Sequence, residues 1–329
     1  MNLHENKALF IDAILTTAQQ MNIQPEFIEK DYWLTYALHL IFHHEIGDEA
    51  VFKGGTALSK CFGIIERFSE DIDLVVLRNQ DEAPNQLKSK LKKVTQVVSD
   101  QFEEIQIPDI TNKLGMIRKV AYNYQKEFKG SFGQARDVII LEATWLGHYE
   151  PYTKKIIASY IYEMMKKTNQ LELATEYYLL PFEVQVLHVN RTICEKIMSL
   201  VRFSHSVDPI NNLQNKIRHI YDIHQLLQVE EVLQFFQTSA FDDMLHLVAK
   251  DDFESFKSNN EWLHQHPKDA LLFKDVQIVW SQLQNTYENR FSDMVFGKLP
   301  QSAAILVSLE MVASRLNKIV WNPTPSKSS

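Results

Sequence analysis

The chain is poor in cysteine, with Cys61 and Cys194 the only two among 329 residues. Two thiols so far apart in sequence exclude a disulfide framework and a cysteine zinc cluster. Long apolar runs are missing as well, so nothing in the sequence reads as a membrane-spanning helix. The first residues, Met1-Asn-Leu-His-Glu-Asn-Lys7, lack the basic and apolar blocks of a secretory signal. The expectation is therefore a cytoplasmic protein of a microbe. Positive charge is also in deficit: 34 Lys and Arg stand against 42 Asp and Glu, a formal charge of −8 and a pI near 5.9. This excludes a surface that attracts nucleic acid over its whole extent, though not a local patch.

What is present suits an ordinary globular protein, at 45% hydrophobic and 23% charged residues. The length suggests two domains. Charge is uneven along the chain. Residues 110–170 hold ten Lys and Arg (113, 118, 119, 126, 129, 136, 154, 155, 166 and 167) and five acids (127, 137, 142, 150 and 163), an excess of five positive charges. This region reads either as a track for phosphates or as a solvated face. Tyr122 and Tyr124, set among Arg118, Lys119 and Lys126, offer rings on which bases could stack.

Helical spacing marks residues 5–45, with a break at Pro25 where a second helix starts. Ala50–Phe52 reads as a short buried strand. Thr56 reads as the N-cap of a helix over 57–65. Asp71–Leu77 is the next strand and Lys88–Glu104 a charged amphipathic helix. Alternation predicts strands at Val138–Trp145 and Phe182–Val189. The mixed sheet is expected to end near residue 188. Beyond it the pattern is helical, with Ser204–Asn215 as a loop and helices near 217–227, 241–256, 269–289 and 301–318. The expected domains are 1–188 and 189–318, with a disordered tail from 319 to 329. No internal repeat is visible. His43-His44 and the pair His264 and His266 do not read as metal sites.

The chemistry concentrates in Lys53-Gly-Gly-Thr-Ala-Leu-Ser-Lys60 and Ser69-Glu-Asp-Ile-Asp-Leu74. Strand side chains alternate, so Asp71 and Asp73 point the same way. Two carboxylates on one face of an otherwise apolar strand suit Mg²⁺, which prefers carboxylate, phosphate and water oxygens. Gly54-Gly55-Thr56 at a strand-to-helix junction lets the backbone approach a phosphate beside free helix N–H groups. Arg67 and Ser69 flank the acids, and Lys60 lies one turn into the helix; each faces either a phosphate or water.

These segments closely resemble the AbiEii-like nucleotidyltransferase toxins of the DNA polymerase β-type nucleotidyltransferase superfamily. Glu29-Lys-Asp-Tyr-Trp33 is similar to that family's N-terminal signature. Arg191-Thr-Ile-Cys-Glu-Lys196 is similar to its lysine helix, and Arg218-His-Ile-Tyr-Asp222 to its final Arg-x-x-x-Asp helix. The motifs run in order across roughly residues 25–227. The resemblance implies an α+β fold: a nucleotidyltransferase-type mixed sheet with flanking helices, followed by a C-terminal helical domain. It implies an enzyme that transfers NMP from an NTP, using Mg²⁺, to an RNA acceptor such as the tRNA 3′ end, as the toxin of a toxin–antitoxin or phage-defence system with a separate antitoxin.

By the same resemblance Lys196 holds nucleotide phosphate, and Asp222 accepts a proton or orients Lys196. From the helical stripe alone Lys196 would snorkel and Asp222 would be solvated with Arg218 as its i−4 partner. Many polymerase β-like enzymes use a third carboxylate, for which Glu142 is the candidate and Glu183 the alternative. Two rival readings remain: modification of a small-molecule or protein hydroxyl, and a catalytically inactive binding protein of the same fold.

Overall fold

The computed structural model describes residues 2–69, 71–79, 81–128, 136–147, 149–256 and 259–322. The chain divides into two compact units. One comprises the chain up to Gly63, Arg67–Trp145 and Tyr152–Val186; the other comprises Ile64–Glu66, Leu146–Pro151 and the chain from Leu187 on.

The first unit is built on a seven-stranded mixed sheet. Its strands are β1 (Ala50–Lys53), β2 (Asp71–Val76), β3 (Glu103–Ile105), β4 (Ile117–Asn123), β5 (Ile139–Thr144), β6 (Tyr152–Ile157) and β7 (Phe182–Leu187), in the spatial order β3-β4-β5-β2-β1-β7-β6. β2 lies at the centre, antiparallel to β1 and parallel to β5. Its residues Ile72 and Leu74 are fully buried, and so are Phe52, Ile139, Ile140, Leu141 and Val186 on the neighbouring strands. β-Branched and leucine side chains buried in this way make these strands legible as apolar runs.

Helices α1 (Lys7–Met21), α2 (Pro25–Phe42), α3 (Gly54–Lys60), α4 (Pro84–Ser99), α5 (Tyr160–Lys167) and α6 (Leu171–Glu176) complete this unit. Pro25 opens α2, a position where its missing N–H is not needed. α4 packs on β2, β4 and β5, and α2 packs on α1, α4 and α5. α2 is buried almost all round, its charged residues Glu29, Lys30 and Asp31 included.

The second unit is helical: α7 (Val189–Ser204), α8 (Pro209–Asn215), α9 (Ile217–Leu227), α10 (Glu230–Gln237), α11 (Ser239–Ser255), α12 (Leu271–Lys274), α13 (Val276–Asn285) and α14 (Ser302–Leu316), with a π turn at Thr286–Phe291. α7 packs against α8, α9, α10, α11 and α12. Its core face is Ile193, Ile197, Leu200 and Val201. No helix of the described residues is long and apolar enough to cross a membrane.

Several local expectations are corrected. α3 starts at Gly54 with Lys53 as its N-cap, so Thr56 is not a cap, and it ends at Lys60 rather than at 65. Asp208 accepts from the Asn211 N–H and Pro209 follows, which turns the expected 204–215 loop into α8. α4 ends at Ser99, and Glu103 and Glu104 enter β3. β3, β4 and β6 were not expected at all. Tyr122 is fully buried and bonds the Thr95 carbonyl at 2.8 Å, and Tyr124 is buried beneath Lys126, so neither ring is open to stack on a base. Trp321 is anchored, its Nε1 donating to the Leu263 carbonyl at 3.2 Å and its ring stacking on His246. The rest of the expected tail, 323–329, lies outside the described residues, as does Lys129 of the basic region.

Candidate active site

Register brings the acids together. Lys53 on β1 pairs with Asp73 on β2, Asp73 with Glu142 on β5, and Glu142 with Lys119 on β4. Paired residues of adjacent strands share a face. The sheet therefore carries a row of charge across four strands in the order +, −, −, +, with Asp71 two residues along β2 on the same side. The inner two charges repel. Burial and then Glu142 and Asp71 push the Asp73 carboxyl up to about 7, against the pull of Lys53 and Lys119. Lys119 bonds Glu142 at 2.8 Å. Burial alone would lower the Lys119 ammonium, but Glu142 and the two aspartates raise it on balance.

Glycine at 54 and 55 has a local cause. Gly54 adopts φ +82°, and a Cβ there would lie 2.2 Å from Asp73 Oδ2. A Cβ on Gly55 would lie 2.6 Å from Arg67 Nη2 and 2.8 Å from Ser69 Oγ. Thr56 Oγ1 donates to the Asp71 carbonyl at 2.6 Å and lies 3.1 Å from Ser69 Oγ. The turn is thus clamped onto the acid strand atom by atom. Arg67 is buried, not a surface cation, and its Nη1 donates to the Phe68 carbonyl at 2.9 Å.

Asp71 Oδ1 is a buried oxygen with no hydrogen-bond partner among the described residues. The cation facing it is Arg136, whose Nη1 is 4.0 Å away. Sequence reasoning counted Arg136 only as one of ten basic residues; nothing in its spacing signalled the approach to Asp71. An orphaned carboxylate oxygen beside a carboxyl that resists ionisation fits a divalent cation. The donor set is two hard oxygens rather than a complete cage: among the described residues no three His, Cys, Asp or Glu form a ready metal site.

Three candidates carry ion pairs of their own. Glu142 adjoins Asp73, but its carboxylate is taken by Lys119. Glu183, on β7, is separated from β2 by β1 in the sheet order and bonds Lys154 at 2.7 Å. Lys60 is engaged within the protein: its ammonium bonds Asp31 at 2.6 Å and the Ala158 carbonyl at 3.0 Å.

Other cations of the 110–170 region are also engaged. Lys113 pairs with Glu104 and Lys126 with Asp137, while Arg118 donates to Thr95 Oγ1. Lys166 and Lys167, in the last turn of α5, are exposed.

In the second unit, Lys196 on α7 donates to Asp222 on α9 at 2.7 Å. Asp222 is completely buried and Lys196 is 6% exposed. The snorkelling and solvated readings both fail, because each helix supplies the charge that the other's wheel could not show. Arg191, one turn before Lys196, donates to Glu195, to Asp251 and to the Glu150 carbonyl. It is a packing cation of the lysine helix. His219, beside the pair, is held well below its ordinary pKa by burial first and then by Lys196 and Lys216.

The profile of the AbiEii nucleotidyl transferase toxins of type IV toxin–antitoxin systems matches residues 38–308. Among solved structures, the chain is similar to MenT4, the nucleotidyltransferase toxin Rv2826c of Mycobacterium tuberculosis H37Rv, at 15% identity. That match covers 93% of this chain and 90% of that one, with a TM-score of 0.59. It is also similar to JHP933 of Helicobacter pylori at 15% identity, over 90% of this chain and 95% of that one, with a TM-score of 0.40. No curated protein sequence matches it significantly.

Proposed function

Because the chain belongs to the AbiEii family of nucleotidyl transferase toxins of type IV toxin–antitoxin systems, we propose that it transfers a nucleoside monophosphate from a ribonucleoside triphosphate to an RNA hydroxyl. The transfer depends on Mg²⁺, the acceptor is the 3′ end of tRNA, and the reaction takes place in the cytoplasm. The observation that carries this reading is the unsatisfied state of Asp71 and Asp73: one oxygen without a hydrogen-bond partner among the described residues, and one carboxyl pushed up to about 7 by burial and neighbouring acids.

Asp71 and Asp73 would hold the cation, which when bound offsets charge on the triphosphate and orients it for in-line attack. Gly54 and Gly55 let the turn lie directly against Asp73, Arg67 and Ser69. Thr56 and Ser69 present hydroxyls there, and Arg67 supports the turn with positive charge below Gly55. Lys196 is assigned to the phosphates on the strength of its motif. Asp222 is assigned to holding Lys196, since it already accepts that ammonium at 2.7 Å. Lys60 is left out of the nucleotide set because Asp31 occupies it. Glu142 acts on Asp73 through charge rather than as a ligand.

The test is incubation with each α-labelled ribonucleoside triphosphate, Mg²⁺, total cellular RNA and total protein. Label is expected in RNA of tRNA size, and to disappear for Asp73→Ala. Label in the protein fraction, or in neither fraction, overturns the RNA acceptor.

A further inference from the structure

The Glu29–Trp33 segment has three consecutive charged residues on a helix, all buried: Glu29 1%, Lys30 0% and Asp31 6% exposed. Burying charge is unfavourable unless each group is satisfied. Each of the three is satisfied by a different part of the first unit. Glu29 accepts from the backbone N–H of Glu127 at 2.7 Å and of Phe128 at 3.1 Å. Lys30 donates to the Arg136 carbonyl, at the residue whose guanidinium faces Asp71. Asp31 divides its two oxygens: Oδ1 bonds the Lys60 ammonium at 2.6 Å, and Oδ2 accepts from the Tyr160 N–H at 2.8 Å.

The Lys60 end is as firmly engaged. Its ammonium also donates to the Ala158 carbonyl at 3.0 Å and lies 5.3 Å from the centre of the Tyr160 ring. Both Lys60 and Asp31 side chains are about 5% exposed. Lys60 is the last residue of α3, and α3 is the element that touches the acids. Gly54 abuts the Asp73 carboxylate, Gly55 abuts Arg67 and Ser69, and Thr56 bonds the Asp71 carbonyl. A seven-residue helix has few contacts of its own to fix its position. An ion pair at its end, shielded from solvent and tied to α2 and α5 at once, supplies that fixation.

We propose that Asp31 and Lys60 are positioning residues: their buried ion pair holds α3 in register so that its glycine turn keeps Asp71 and Asp73 in the geometry that binds Mg²⁺ and a nucleoside triphosphate. Neither residue touches the substrate. The proposal rests on the reading that the acid pair binds the nucleotide.

Calorimetric titration of each protein with the four ribonucleoside triphosphates in Mg²⁺ tests it without an acceptor. Asp31→Asn and Lys60→Met are each expected to weaken binding about tenfold. The double variant Asp31→Asn/Lys60→Met is expected to weaken it no further than the worse single, because both act through one contact. The double variant carries no uncompensated buried charge, so it reports on the pair even where a single variant does not fold. Melting curves on the same samples separate the alternatives. A role in stability alone lowers the melting temperature and leaves the dissociation constant of the folded protein unchanged, and that result overturns the proposal. So do single effects that multiply in the double variant. Asp73→Ala reports on the underlying reading: if it binds nucleotide as the wild type does, or if the wild type does not bind at all, the acid pair is not the nucleotide site and the positioning role falls with it.

Discussion

Two groups of charge, one buried and one half-buried, divide the labour differently in the two units. On α7 and α9, Lys196 and Asp222 neutralise each other at 2.7 Å in a setting closed to solvent. On β2, Asp71 and Asp73 carry like charge, with Glu142 added from β5 and Lys53, Lys119 and Arg136 opposing them. The first group is complete as it stands. The second keeps one carboxylate oxygen without a hydrogen-bond partner among the described residues and one carboxyl whose ionisation is opposed. Charge of that kind points to ligand binding, whereas a satisfied pair by itself points to architecture, so the assignment of Lys196 to the phosphates rests on its motif alone. Family motifs mark both alike; only the surroundings distinguish them.

The comparison is broken most forcefully by removing the acids. Asp73→Ala and Asp71→Ala are each expected to lower nucleotidyl transfer by about 10³-fold or more, and to abolish toxicity in cells that express the protein. Folding, read by circular dichroism, should be unharmed. On the other side, Asp222→Asn leaves the Lys196 charge buried and unpaired. Its urea unfolding should show a loss of about 3–5 kcal/mol. The double variant Lys196→Met/Asp222→Asn should lose clearly less than the sum of the two single variants.

The pH response sharpens the contrast. An acid whose folded pKa is raised destabilises the fold once it ionises, so the penalty is absent below about pH 4 and grows until it is full above about pH 7. For Asp73, lifted from 3.8 to about 7, metal-free Asp73→Asn should match the wild type near pH 4 and exceed it by about 1–3 kcal/mol at pH 8. Equal stability at both values would mean that the carboxyl is not strained. The smallest effect is expected at Glu142: Glu142→Gln should reduce turnover by about tenfold or less, because its carboxylate is held by Lys119, and a pH titration of Asp73 should move toward the ordinary range.

How much of this was legible depended on where neighbours come from. Gly54, Gly55, Asp71 and Asp73 could be read because their relation is local: one turn, one strand and a period of two. Core strands β1 and β2 announced themselves as short apolar runs, and β5 and β7 by their alternation. β4 did not, because Arg118 and Lys119 sit within it and their partners, Thr95 and Glu142, lie 23 residues away. The same two residues were counted toward a phosphate track. β6 was hidden because its residues are mostly exposed, with Lys154 and Lys155 at its centre. Asp222 looked solvated since a single helical wheel omits the helix that supplies Lys196. Lys60 looked like a phosphate ligand since its acid partner precedes it by 29 positions. In each case a charge met its partner through the tertiary fold, which sequence spacing does not reveal.

Gly54 leaves no room for compromise. With a side chain's first carbon only 2.2 Å from an Asp73 oxygen, even alanine there must displace the carboxylate. A selection for cells that outlive this protein's expression would accordingly recover changes at codon 54 of many chemical kinds, since any side chain there disturbs Asp73.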